Sequence, residues 1–87
     1  MSIAAERQRY LDRITRDPEI MVGKPVVRGT RIPVERVLAH LEENDQIDLF
    51  AAFPELTEED VKACIAYARA AVQRQRRQAA SVPHARR

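Results

Sequence analysis

The sequence predicts a small, mainly α-helical domain: a β-hairpin element followed by three helices in helix-turn-helix order. Three observations carry this. Both glycines and two of the five prolines fall in one window, GKPVVRGTRIPV, Gly23 to Val34. Downstream, Val34, Val37, Leu38 and Leu41 recur at the i, i+3, i+4, i+7 spacing of a helix stripe. Farther on, Thr57–Glu58–Glu59–Asp60 resembles a capping box with Asp in place of the usual Glu.

Length and charge bound the problem. Eighty-seven residues allow one domain with a thin core. Without tryptophan, and with four other aromatics, such a chain is expected to gain stability from a second copy or a partner. Cys64 is the only cysteine, so no internal disulfide can form, which fits a reducing cytoplasm. No apolar run approaches the ~20 residues a membrane helix needs. The net charge of +2 is unevenly placed: residues 1–43 sum to +1, residues 44–68 to −5 and residues 69–87 to +6. Such segregation suggests charge-complementary partners rather than a uniformly basic nucleic-acid glove.

Three segments follow: an extension over 1–13 that could form a helix, the hairpin and three helices over 14–72, and a basic tail over 73–87 expected to be disordered. Ala4 to Leu11 is polar and rich in helix formers. Ile14–Arg16 could form a short strand before the turn-like Asp17–Pro18. Val26 and Val27 are β-branched and follow Pro25, which disfavours the helical state at Lys24. Arg28–Gly29–Thr30–Arg31 fits a two-residue type II′ hairpin with Gly29 at positive φ, so that Arg31–Ile32 returns against Val27–Arg28. A lone hairpin is marginal, so its edges are expected to pair with Ile14–Arg16 or with a second copy.

Pro33 suits the first turn of the next helix, which ends near Asn44. Asp45 can cap a short second helix burying Ile47 and Phe50, with Leu49 and Phe53 as further candidates, until Pro54 stops it. In the long third helix, Val61, Cys64, Ile65, Ala68 and Val72 share one face and are expected to complete the core. Ala63, Ala66 and Ala70, with Tyr67 alongside, fall opposite.

The run ITRDPEIMVGKPVVRGTRIPV, then a helix, then AAFPELTEEDVKACIAYA resembles the bacterial domain of unknown function 433 (DUF433) family from about Tyr10 to Val72. The resemblance implies a homeodomain-like three-helix fold. It also implies the role of a VapB-like antitoxin, partnered by a PIN-like ribonuclease toxin.

Each motif has a bland alternative. Arg28 and Arg31 face each other across the turn and repel unless an anion sits between them. With Lys24 and Arg36 they form the candidate DNA-binding set; the alternative is pairing with Asp17, Glu19 or Glu35. A DNA-reading third helix would aim its start at the major groove, yet here that start is TEED, which phosphates repel. The candidate toxin-binding set is Ala66, Tyr67, Arg69, Ala70, Arg74, Arg76 and Arg77. Small side chains there would admit a partner helix, and arginines would meet acidic groups. The alternatives are alanine as a mere helix former and a solubilising end.

No catalytic grouping stands out. Cys64 is expected in the core, and His40 and His84 lie apart, which leaves no zinc-ligand spacing. The carboxylates of Glu58, Glu59 and Asp60 are accounted for by the helix N-terminus. The expectation is therefore a cytoplasmic, cofactor-free, non-enzymatic antitoxin, a likeness-based role in which a homodimer could also bind operator DNA. A stand-alone helix-turn-helix transcriptional regulator is the alternative.

Overall fold

The computed structural model describes residues 3–81. It is mainly helical, with four helices and a small two-stranded antiparallel sheet. In chain order these are α1 (Ile3–Leu11), β1 (Ile14–Thr15), β2 (Val26–Val27), α2 (Val34–Glu43), α3 (Gln46–Ala52) and α4 (Glu58–Ser81).

The ribbon is pinned from two sides. β1 pairs antiparallel with β2, Ile14 opposite Val27 and Thr15 opposite Val26. On the other side the chain returns through a Val26–Pro33 bridge, and the Val27 N–H donates to the Ile32 carbonyl at 3.0 Å. Val26 and Val27 are both buried, as expected of a strand covered on each side. The turn differs from the expected type II′. Its closing bond runs from the Thr30 N–H to the Val27 carbonyl, 3.0 Å, which puts Gly29 third in the turn with φ +82°. That is the type II position for positive φ. The Thr30 hydroxyl decides the phase: it donates to the Val27 carbonyl at 2.8 Å and accepts from the Ile32 N–H at 3.0 Å.

Before β2 the backbone does something the sequence does not suggest. Met21, Val22 and Gly23 take φ of 52°, 56° and 78° in succession, one turn of left-handed 3-10 helix. A β-branched residue there is strained. An Asx turn at Asp17 leads into it, with the Glu19 N–H on Asp17 Oδ1 at 2.9 Å, and Arg16 Nε ties it down on the Gly23 carbonyl at 3.0 Å. Val22 is left 92% exposed. These two sites make opposite predictions. Gly29→Val has open space for its side chain but the wrong φ, and should cost about 1–2 kcal/mol. Val22→Gly should raise the melting temperature slightly, since relief of strain exceeds the extra backbone entropy lost by about 0.5 kcal/mol. Thermal melts of both variants check the signs.

The helices start and stop where local chemistry directs. Pro33 is the N-cap residue of α2, one position ahead of the expected first turn. Asp45 caps α3, its side chain accepting from the Asp48 N–H at 2.8 Å. At α4 the capping box is complete: the Thr57 N–H donates to Asp60 Oδ2 at 3.0 Å, and the Asp60 N–H to Thr57 Oγ1 at 3.2 Å.

The core lies between the ribbon, α2, α3 and α4, with Val27, Val37, Leu49, Val61 and Cys64 fully buried. Three expectations about it change. Ile47 is 81% exposed while Leu49 is fully buried, because the Asp45 cap sets the rotational phase of a helix only seven residues long. Ile65 and Val72 stand 42% and 53% exposed, whereas Ala63, expected on the outside, is fully buried. The reason is α1, which packs on α4 and brings Tyr10 against the cluster that contains Ala63. Finally, α4 continues to Ser81, so residues 73–81 are helical where a disordered tail was expected; residues 82–87, the rest of that tail, lie outside the described residues.

Candidate functional site

Lys24, Arg28, Arg31 and Arg36 are all exposed. None forms an ion pair among the described residues, so the alternative pairing with Asp17, Glu19 or Glu35 is not made. The ribbon divides the four. Lys24 and Arg36 line one shallow hollow with Met21, Pro33 and Glu35, beside the left-handed turn. Arg28 and Arg31 flank Gly29–Thr30 at the other end of β2. Four residues of extended chain separate Lys24 from Arg28 by roughly 13 Å. Arg16, which the sequence reading passed over, adds an exposed guanidinium near Gly23.

The second cationic group lies on α4. Arg74 and Arg77 are exposed and three residues apart, so they share a side of the helix with Ala66 and Ala70. Ala66, Tyr67 and Ala70 are half-buried, and Tyr67 lines a hollow on the α2 side with Pro25, Val34 and Leu38. Arg69 and Arg76 turn elsewhere. They line a cleft between α2 and α4 with Leu38, Ile65, Ala68 and Val72. The seven residues grouped from the sequence thus fall on two sides of one helix.

The acidic start of α4 is engaged rather than open. Arg13 reaches it from the end of α1, with Nη2 on Glu59 Oε1 at 2.8 Å and Nη1 on Asp60 Oδ1 at 3.0 Å. The Arg13 carbonyl also accepts from the Arg28 N–H at 2.7 Å, so one residue joins the ribbon to the helix. Sequence reasoning missed Arg13. Its partners lie 46 and 47 residues away, and nothing local marks it.

Cys64 and His40 both have structural surroundings. Burial first, and then the charge of Asp60, push the Cys64 thiol up to about 12. At neutral pH it stays protonated and packs as a small hydrophobe. His40 is more than a surface residue: Nε2 lies 2.9 Å from Asp48 Oδ2, and the ring meets Phe53 edge-on at 5.7 Å, which ties α2 to α3. Among the described residues, no three His, Cys, Asp or Glu side chains are grouped to hold a metal ion, and no helix is long and apolar enough to cross a membrane.

The fold and its ribbon match known proteins. The family described as "Protein of unknown function (DUF433)" matches residues 14–68, from β1 to the middle of α4. The chain belongs to the DUF433 family. A crystal structure of a DUF433 member protein from Anabaena variabilis is similar to it at a TM-score of 0.65 and 26% identity, covering 91% of this chain and 83% of that one. The uncharacterized protein y4eO of Sinorhizobium fredii is 38% identical over 65 residues, 74% of this chain. The chain spans only 29% of that relative's length. An uncharacterized protein of Archaeoglobus fulgidus is 56% identical over 25 residues, which are 29% of this chain and 69% of that protein. Within this DUF433 chain, Lys24, Arg28, Arg31, Arg36, Ala66 and Tyr67 fall inside the family match. Arg69, Ala70, Arg74, Arg76 and Arg77 fall beyond it.

Proposed function

We propose that this DUF433 protein is a cytoplasmic antitoxin: a binding module that neutralises a PIN-like ribonuclease toxin by occupying its acidic active site. One observation carries the reading. The far half of α4 is a continuous helix that presents Arg74 and Arg77 exposed, on one side and free of ion pairs among the described residues. Guanidinium groups pair with carboxylates bidentately, the geometry needed to cap an acidic nuclease pocket. A preformed helix also loses less entropy on docking than a disordered tail would. The position of these arginines beyond the family match suits a segment that distinguishes one cognate partner from another.

The test is to co-express the chain with the PIN-like product of a neighbouring gene, then assay ribonuclease activity. The full chain should co-purify with the toxin and silence it. A chain truncated after Val72 should still melt cooperatively, yet release active nuclease. Undiminished inhibition by the truncated chain would remove the arm from the mechanism.

DNA binding is the second reading, either as autoregulation or as the work of a stand-alone regulator. It rests on the exposed, unpaired Lys24, Arg28, Arg31 and Arg36. A homeodomain-like arrangement of α3 and α4 would present the TEED carboxylates to DNA, so phosphate contact is assigned to the ribbon. Retarded operator DNA without any toxin present would favour the regulator.

A further inference from the structure

The cleft between α2 and α4 is left open on an apolar strip. Leu38 comes from α2; Ile65, Ala68 and Val72 come from α4. Ile65 and Val72 are among the few large hydrophobic side chains the fold leaves exposed. Their spacing, with Ala68 between, follows the a–d–a seam of a helix that packs against another helix.

The banks of this cleft carry opposite charge at matched intervals. Glu35 and Glu42 line the α2 side, where the cleft continues past Leu38 and Ala68. Arg69 and Arg76 line the α4 side. Each pair is seven residues apart, about 10.5 Å along its helix. All four side chains are exposed, and none has an ion-pair partner among the described residues. Intrachain pairing therefore does not account for the arrangement.

We propose that this cleft is the interface between two copies of this chain, related by a two-fold axis. Strip packs against strip, and Arg69 and Arg76 of each copy meet Glu42 and Glu35 of the other. A two-fold interface is self-complementary, so every such contact occurs twice. Equal spacing on the two banks lets both ion pairs form in one register. The apolar centre with a charged rim is the usual anatomy of a protein interface. A second copy also supplies the apolar burial that a short chain with a thin core lacks. This inference stands apart from the antitoxin reading, and its test contains no toxin.

Sedimentation equilibrium of the full chain over a concentration series should give twice the 10.0 kDa chain mass. The double variants Arg69→Glu with Arg76→Glu, and Glu35→Arg with Glu42→Arg, should each associate roughly a hundredfold more weakly, because like charges then face each other. Mixed one to one, the two variants should recover the dimer mass, since their charges complement across the axis. Val72→Glu, in the centre of the strip, should also give monomer, and circular dichroism should show every variant as helical as the parent. A parent chain that stays monomeric overturns the proposal; so does a strip covered instead by another protein, which gives the same result. Variants that keep the parent's dimer mass, or a mixture that fails to recover it, overturn it equally.

Discussion

Leu49→Ala should lower stability by about 3 kcal/mol or more, the largest effect of any single truncation in this core. Leu49 is the largest of the fully buried side chains. It sits on α3, a helix of seven residues that is too short to hold its shape without packing. Truncation leaves a cavity between α3 and the cluster of Val37, Val61 and Cys64. A chain of this size has about 4–13 kcal/mol of total stability, so a large share is lost. Ile47→Ala, two residues away and 81% exposed, should change stability by no more than about 0.5 kcal/mol. Urea unfolding of both variants checks this. Equal midpoints would mean that the phase of α3 is wrong.

Asp60→Ala should cost about 2 kcal/mol, and lower the melting temperature by about 10 °C in a domain of this length. The carboxylate does two jobs. One oxygen accepts the Thr57 N–H and completes the capping box; the other accepts Arg13 Nη1. Loss of a cap costs about 1 kcal/mol. The ion pair adds about as much, less than a fully buried pair would, because the Arg13 side chain is 41% exposed. Asp60→Asn keeps an acceptor for the cap and should cost about half. Glu59→Ala removes only a solvent-exposed partner of Arg13 and should stay within about 0.5 kcal/mol. Matching melts for Asp60→Ala and Glu59→Ala would show that the box does not hold the helix start.

These two cases mark how far the sequence could be read. The capping box was legible because Thr57 and Asp60 are three residues apart and satisfy each other's backbone. The same holds for the Asp45 cap, the stop at Pro54 and the antiparallel return of the GKPVVRGTRIPV ribbon. The turn type was missed by one position because the Thr30 hydroxyl outcompetes the alternative pairing. The left-handed Met21–Gly23 turn was invisible because only one of its residues is a glycine. Among the site residues, the four cations of the ribbon were legible as exposed charge, but their division into two pairs was not. The arginines of α4 were legible as a basic run, whereas their separation onto two sides follows from the helix continuing to Ser81, where a disordered tail was expected.

What the sequence determined by itself is the set of elements, their order and most of their ends, because caps, turns and periodicity act over a few residues. The tertiary structure decided which helix faces are covered. The docking of α1 buried Ala63, the packing of α2 left Ile65 and Val72 open, and Arg13 closed over the start of α4. Each depends on groups tens of residues apart, and a helical stripe read alone says which side chains share a face but not what comes to lie on it.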